Sequence, residues 1–102
     1  RPRIFLGGAF DALDNELLRS QRITHILNVS KLQYELQEEC HMLQLDIDDE
    51  VGESLCKHFT KAADFIDKVL ARFRARVLVH CEFGVSRSAA VVAAYLMRAE
   101  SL

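Results

Sequence analysis

The feature of this sequence that most constrains its fold is a pair of short segments whose apolar residues fall on both faces of an extended chain. They are residues 23–29 (ITHILNV) and residues 77–80 (VLVH). Branched side chains favour strands, and a strand that is apolar on both faces must be covered on both sides. Both segments are therefore predicted to be central strands of a sheet that lies between layers of helix.

The rest of the chain alternates between helical and strand-like patterns. Apolar residues recur at helical spacing in three places, the longest of which runs from Ser54 to Phe73. In chain order we predict strand 4–6, a helix over 13–19, strand 23–29, a loop over 31–39, strand 41–45, a helix over 54–73, strand 77–80 and a helix over 87–98. This order indicates an α/β fold with a central, mostly parallel sheet flanked by helices. Ligands of such folds bind beyond the carboxyl ends of the strands.

Length and charge exclude several classes of protein. A chain of 102 residues that is 50% hydrophobic is one small domain. The formal net charge of -2 argues against nonspecific binding of nucleic acid, which needs a surplus of positive charge. The longest apolar run, Ser88–Met97, is well short of the roughly 20 residues that span a membrane. Nothing near Arg1 is typical of a signal peptide.

The three cysteines, Cys40, Cys56 and Cys81, fit neither a disulfide framework nor a CxxC metal site. We therefore expect free thiols in a reducing compartment, the cytoplasm or the nucleus, and no metal or cofactor. Cys40 and Cys56 are interpreted as inert thiols. The alternative is that one of them forms a disulfide with an oxidised Cys81.

Residues 80–88 (HCEFGVSRS) join the strand at 77–80 to the last helix in very few residues. Such a turn points backbone N–H groups inward, and the start of a helix adds positive potential, so an oxyanion fits there. Gly84 permits backbone conformations that a side chain obstructs, and the planar guanidinium of Arg87 suits two phosphate oxygens. The segment predicted to bind a substrate phosphate comprises Glu82, Phe83, Gly84, Val85, Ser86 and Arg87.

Cys81 is the predicted nucleophile of this loop. Backbone N–H groups and the Arg87 guanidinium both favour a thiolate, so Cys81 should ionise more readily than a free thiol. Its attack on a phosphate monoester would form a thiophosphate intermediate. The Ser88 hydroxyl is predicted to donate a hydrogen bond to the departing sulfur, and His80 to orient the loop through the backbone. A chance turn containing a buried cysteine would not explain why all these residue types occur together.

The pattern His80-Cys81-x-x-Gly84-x-x-Arg87-Ser88 resembles the signature of the cysteine-dependent protein tyrosine phosphatase superfamily. Residues 84–90 and 94–97 resemble its dual-specificity branch, and weaker similarities follow in the correct order at 5–7, 23–29 and 62–67. The resemblance implies a phosphotyrosine protein phosphatase-like fold. It also implies metal-independent hydrolysis of phosphotyrosine, phosphoserine and phosphothreonine in phosphorylated proteins.

A phosphate monoester also needs a proton for its leaving oxygen, so a carboxylic acid is expected on a separate loop. The candidates are Asp46, Asp48, Asp49, Glu50 and Glu53. The register of the family's long helix on residues 62–67 implies Asp49, with Asp48 as the alternative. The other acidic residues of this segment are interpreted as solvated.

The same resemblance implies a shallow pocket. A Gly-Arg-Thr-Gly segment after the nucleophile and a tyrosine-bearing recognition loop, which are typical of the tyrosine-specific enzymes, are not apparent. Glu82 argues against polyanionic substrates such as phosphoinositides, unless its side chain points to solvent.

Two other functions fit part of the pattern. A catalytically silent module that binds phosphoproteins would commonly lack the nucleophile or the arginine, and this chain has both Cys81 and Arg87. A sulfur transferase of the rhodanese type also uses a loop cysteine, but it does not explain Arg87 followed by Ser88.

The last predicted helix bears on the length of the domain. Residues 89–97 are apolar all round, so this helix should be enclosed on every side, and the resembled family continues into further helices that pack around it. We therefore expect residues 1–102 to be a single dual-specificity catalytic domain, truncated at its C-terminal end. Such a chain should expose apolar surface and be poorly stable. The sequence does not indicate its oligomeric state.

Overall fold

The structure is a computed structural model that describes residues 3–36, 40–47 and 51–101. Its elements in chain order are β1 (Ile4–Gly7), α1 (Ala9–Ala12), α2 (Asn15–Ser20), β2 (His25–Asn28), β3 (His41–Gln44), α3 (Val51–Ala71), β4 (Val77–His80) and α4 (Ser86–Ser101). The strands form a four-stranded parallel sheet in the order β1-β4-β2-β3. The predicted α/β fold with a central parallel sheet is confirmed.

Strand β4 lies inside the sheet, where its residue Leu78 is in register with Phe5 of β1 and Ile26 of β2. All four residues of β4 are buried, as are all four of β2. Strand β4 coincides with the predicted segment 77–80, and β2 is the central part of the predicted segment 23–29. Because β4 is flanked on both sides, the residue that follows it lies in the middle of the sheet's carboxyl edge.

The two faces of the sheet are covered by different helices. On one face, α3 and α4 pack against alternate strand residues, with Ile66 and Val91 fully buried beside Val79. On the other face, α1 and α2 cover a smaller cluster that includes Leu18, Ile26 and Leu78. The alternation of Leu78 and Val79 between the faces follows the pleat of a strand.

Several helix boundaries differ from the sequence prediction for local reasons. The helix expected over 13–19 is replaced by α1 and α2, because the side chain of Asp14 accepts a hydrogen bond of 3.1 Å from the N–H of Leu17 and so starts a new helix. Helix α3 begins at Val51 and ends at Ala71 instead of spanning 54–73. A turn follows it, closed by the Ala75 N–H and the Arg72 carbonyl at 3.2 Å.

Helix α4 buries one side and exposes the other. Val91 and Tyr95 face the core, whereas Leu96 is 47% exposed and Met97 69% exposed. The enclosure on every side that its sequence predicts is therefore not found in this chain, and apolar surface is exposed as expected. The low stability of the chain stays a prediction. No helix among the described residues is long and apolar enough to cross a membrane.

Candidate active site

The loop between β4 and α4, residues 81–86, is called the Cys81 loop below. It begins directly after the central strand and ends at the first residue of α4. Gly84 adopts φ +61°, a left-handed conformation that glycine takes without steric cost. A side-chain carbon at Gly84 would meet no atom within 4 Å, so the backbone angle, and not the space, favours glycine there.

The turn between β1 and α1 packs against the Cys81 loop. The N–H of Ala9 donates to the carbonyl of Glu82 at 3.3 Å. A side-chain carbon on Gly8 would lie 3.0 Å from the carbonyl oxygen of Gly84, a distance tighter than ordinary contact. The absence of a side chain at Gly8 therefore lets the two backbone segments approach closely.

The sulfur of Cys81 is buried beneath its own loop. Cys81 is 0% exposed, and its Sγ lies 3.4 Å from the carbonyl oxygen of Gly84 and 3.8 Å from that of Phe83. A carbonyl oxygen accepts hydrogen bonds, so this arrangement suits a protonated thiol that donates. The sequence predicts inward N–H groups, whereas the peptide groups at Phe83 and Gly84 present carbonyl oxygens to the sulfur.

Ser88 lies on the first turn of α4, beside the sulfur. Its buried Oγ is 3.7 Å from the Sγ of Cys81, 3.1 Å from the carbonyl of Val85 and 3.3 Å from that of Gly7. Here the Cys81 thiol donates towards Oγ of Ser88, and the single hydroxyl proton of Ser88 goes to the carbonyl of Val85 or of Gly7. Rotation of the hydroxyl is enough to direct that proton at the sulfur.

His80 is fully buried and links the loop to a tyrosine. The backbone carbonyl of Cys81, 3.0 Å from Nδ1 of His80, can only accept, so Nδ1 carries a proton. Burial lowers the pKa of His80 below 6.5, against smaller opposing effects of the Cys81 carbonyl and Asp11, and so favours the neutral ring. In the neutral ring Nε2 is an acceptor, and it receives the hydroxyl proton of Tyr34 at 2.8 Å. Burial raises the pKa of Tyr34 to about 12, which keeps that hydroxyl protonated.

Tyr34 is a site residue that the sequence prediction missed, because it lies in a polar segment interpreted as a plain loop. The buried Asn28 shapes that segment: its Nδ2 donates to the carbonyl of Leu32 at 2.9 Å, and its Oδ1 accepts from the hydroxyl of Ser30 at 2.6 Å. The sequence does contain a signal for an ordered loop here: Asn28 ends a buried strand, Ser30 follows two residues later, and the aromatic Tyr34 four residues after that. The ring of His80 hydrogen-bonds to the backbone of the Cys81 loop, and its role in orienting that loop stays a prediction.

Arg87 connects the Cys81 loop to the segment that carries the predicted acid. Its Nη1 donates to the backbone carbonyl of Ile47 at 3.1 Å, and Ile47 is fully buried. Asp46 has an exposed side chain whose Oδ2 is 3.9 Å from Nζ of Lys31. The candidates Asp48, Asp49 and Glu50 lie outside the described residues, as does the side chain of Glu53. The assignment of the acid to Asp49 therefore stays a prediction.

The rim of the Cys81 loop is apolar. Phe83 is 78% exposed and Val85 45% exposed, and the neighbouring Phe10 is 90% exposed. A shallow cavity of about 240 Å³ lies between residues 8–11 and 82–85. Cys40 is buried, Cys56 is exposed, and neither forms a disulfide. Within residues 3–36, 40–47 and 51–101, no group of three or more His, Cys, Asp or Glu is arranged to hold a metal ion.

Comparison with known proteins places these features in context. The family model described as "Dual specificity phosphatase, catalytic domain" matches residues 4–102. Dual specificity protein phosphatase 5 of Homo sapiens is 39% identical over 101 residues, which cover 95% of this chain and 25% of that protein. The crystal structure of DUSP15 is similar with a TM-score of 0.87 and 32% identity, covering 100% of this chain and 65% of that one.

The chain is also similar to a solved structure of a protein that is described as phosphatase-like. Human tyrosine phosphatase-like serine/threonine/tyrosine-interacting protein is similar with a TM-score of 0.83 and 33% identity, over 100% of this chain and 72% of that one. This chain thus spans a quarter of the length of the phosphatase 5 sequence, and about two thirds of the DUSP15 chain.

Proposed function

Because the chain belongs to the dual specificity phosphatase family, we propose that it is a metal-independent protein phosphatase that acts through a cysteinyl-phosphate intermediate. Its substrates would be phosphotyrosine and phosphoserine or phosphothreonine residues of proteins. The observation that carries the proposal is the position of Cys81 at the carboxyl end of the central strand, with the Ser88 hydroxyl 3.7 Å from its sulfur. Arg87 lies on the same first turn of α4 and contacts the neighbouring acidic segment.

In the first step, the thiolate of Cys81 attacks the phosphorus atom. An S–P bond forms, the bond from phosphorus to the leaving oxygen breaks, and Asp49 gives that oxygen its proton. Arg87 binds two of the oxygens that remain on phosphorus, where its fixed charge is most useful as negative charge develops. The hydrogen bond from Arg87 to the Ile47 carbonyl supports the choice of Asp49 as the acid. Asp49 is only two residues after Ile47 in the sequence, so it is tied to a point that contacts Arg87.

In the second step, water attacks the phosphorus atom of the thiophosphate. Asp49, now a carboxylate, takes a proton from the water, an O–P bond forms and the S–P bond breaks. The Ser88 hydroxyl donates its hydrogen bond to the departing sulfur and so stabilises the negative charge that returns to it. The products are inorganic phosphate and the free thiolate, which restores the starting state.

Both steps require the Cys81 loop to rearrange when phosphate binds. The carbonyls of Phe83 and Gly84 that face the sulfur would oppose a thiolate and a phosphate alike. Turning these peptide groups directs N–H groups inward and the carbonyls outward. Gly84 supports this change, because glycine occupies left-handed and right-handed backbone conformations with similar ease. Below the loop, the hydrogen bond from His80 to the Cys81 carbonyl holds the backbone of the nucleophilic residue in place.

The rim supports peptide substrates. The exposed apolar side chains of Phe83 and Val85 on the Cys81 loop suit contact with the residues that flank a phosphorylated side chain. A reducing location in the cytoplasm or the nucleus also follows from the proposal, because oxidation of Cys81 would abolish the nucleophile.

The second candidate function is a binding module that recognises phosphorylated partners without turnover. The burial of the Cys81 sulfur beneath two carbonyl oxygens favours it, and so does the likeness to a protein described as phosphatase-like and interacting. The presence of both Cys81 and Arg87 favours the enzyme.

Turnover of an aryl phosphate in the presence of a chelator separates these functions. We expect the chain to be active, Cys81→Ser to be inactive, and Asp49→Asn to be slowed by about 100-fold or more, the usual scale for loss of an acid catalyst. Asp48→Asn is the matched control and should retain most of the activity. Full activity of Cys81→Ser would refute the mechanism. Binding of a phosphopeptide with no turnover would favour the silent module, and loss of activity on chelation would favour a metal-dependent phosphatase.

A further inference from the structure

A second cavity lies at the opposite edge of the sheet, near the amino ends of the strands. It measures about 730 Å³ and is lined by Arg3, Arg22, Leu70, Ala71, Arg72, Phe73, Arg74 and Arg76. We call it the arginine pocket. Five arginines lie around this pocket, so it is strongly cationic although the formal net charge of the whole chain is -2.

Two of these arginines have a structural role, because their guanidinium groups donate hydrogen bonds to backbone carbonyls. Arg3 donates to the carbonyls of Val69, Leu70, Arg72 and Ala75 at 2.6–3.3 Å, which satisfies the carboxyl end of α3 and the turn after it. Arg76 donates to the carbonyl of Gln21 at 2.9 Å, and its guanidinium lies 5.8 Å from the ring of Phe5. These bonds fix the walls of the pocket without neutralising its charge, because backbone carbonyls carry no net charge.

The other three arginines, Arg22, Arg72 and Arg74, are exposed on the pocket surface. The ion pairs among the described side chains are Lys31 with Asp46 and Arg98 with Asp67, so none of these three has a carboxylate partner there. The positive charge also acts on a neighbouring side chain. The pKa of His25 is lowered first by burial, then by His41 and then by the charge of Arg72.

The backbone at this pocket is strained at two arginines. Arg22 has φ 55° and Arg74 has φ 62°, and in the described part of the chain these are the non-glycine residues with positive φ. Arg22 follows α2 in a glycine-type ending, in which the N–H groups of Ile23 and Arg22 donate to the carbonyls of Leu18 and Arg19. Glycine or asparagine would adopt this left-handed conformation at both positions with a lower cost in conformational free energy.

Favourable interaction with a helix dipole explains a basic residue near a helix end, but it does not explain arginine at a left-handed position. Strain that persists at two positions of one cavity is typical of a functional site. From these observations we propose that the arginine pocket binds an acidic peptide segment of a protein partner. The carboxylates of that segment pair with Arg22, Arg72 and Arg74, and an apolar side chain packs on the exposed ring of Phe73.

The shape of the pocket distinguishes a peptide from a membrane surface. A concave cavity encloses side chains that project from an extended segment, whereas a flat bilayer would contact only the rim. Phe73 is 88% exposed, and the guanidinium of Arg74 lies 5.0 Å from its ring centre, so apolar and cationic contacts are offered side by side. This inference is independent of the proposed catalysis, because the pocket contains no residue of the Cys81 loop.

Fluorescence anisotropy with a labelled peptide of alternating Glu and Leu residues tests the proposal. We expect saturable binding that weakens with added salt, and no binding of the peptide in which Gln replaces each Glu. Arg22→Gln and Arg74→Gln should each weaken binding about fivefold. Arg19→Gln removes the same charge from α2 outside the pocket and should change it less than about twofold.

Glycine variants separate a binding role from a structural one. Arg22→Gly and Arg74→Gly relieve the left-handed strain, so their melting temperatures should rise while the labelled peptide binds as weakly as it does to the glutamine variants. Equal losses for Arg19→Gln and the pocket variants would overturn the proposal, because they would indicate nonspecific attraction. It would also be overturned by glycine variants that bind normally, or by binding to phosphatidylserine vesicles with none to the peptide.

Discussion

Replacing Tyr34 with phenylalanine deletes one hydroxyl from the buried chain of hydrogen bonds beneath the Cys81 loop. The lost bond is the 2.8 Å contact to Nε2 of His80, a residue that is 0% exposed. An acceptor left without a donor in the interior costs about 1–3 kcal/mol of unfolding free energy. For a domain of this size each kcal/mol corresponds to about 4–8 °C in Tm.

The deletion should also affect catalysis, because His80 holds the carbonyl of Cys81. We expect kcat for an aryl phosphate to fall by about tenfold as the nucleophile loses its fixed position. Tyr95→Phe is the matched control, since the chain has two tyrosines and the hydroxyl of Tyr95 donates to Asp67 at 2.5 Å, away from the Cys81 loop. Because Asp67 is half-exposed and also pairs with Arg98, losing this bond should cost about 0.5–1.5 kcal/mol and leave kcat unchanged. Equal kcat for the two variants would refute the positioning role of Tyr34.

Three further predictions concern stability. The pKa values of His25 and His80 are lowered from 6.5, chiefly by burial, so the unfolded chain takes up protons near pH 6.5 that the folded chain does not. Denaturation at a series of pH values should therefore show the unfolding free energy falling as the pH drops below about 6.5, and a flat profile would contradict this. Ile66→Ala should cost about 2–5 kcal/mol in urea unfolding, because Ile66 is fully buried between α3 and the sheet; a cost below about 1 kcal/mol would argue against that packing. Gly84→Ala should cost about 1 kcal/mol through its φ of +61° alone, and an unchanged Tm would show that the loop does not need this angle.

The sequence predicted the sheet well because its signals are local. Residues 77–79 are three consecutive branched apolar residues, and together with His80 they form β4 with the bounds expected. The same pattern over 23–29 yielded a shorter strand: the N–H groups of Thr24 and His25 both donate to the Arg76 carbonyl, so the regular pairing begins only at His25. The split of the first helix into α1 and α2 depends on the capping side chain of Asp14, a contact that apolar spacing does not encode.

The site was predictable where its residues are neighbours in the chain. His80, Cys81 and Ser88 lie together because a tight loop joins a strand to a helix. Tyr34 is 46 positions from His80, and the two meet only through the packing of β2 beside β4. The orientation of the peptide groups at Phe83 and Gly84 was also beyond prediction, because it depends on whether Cys81 is a thiol donor or a thiolate acceptor.

The proposed mechanism requires Cys81 to carry the phosphoryl group during turnover. Rapid quenching of the Asp49→Asn variant with an aryl phosphate, followed by mass spectrometry of the intact chain and its peptides, tests this most directly, because loss of the base should slow breakdown of the intermediate. We predict a phosphoryl group on the peptide that contains Cys81, and none in the Cys81→Ser protein. Turnover without such an adduct, or an adduct on another residue, would show that Cys81 is not the nucleophile.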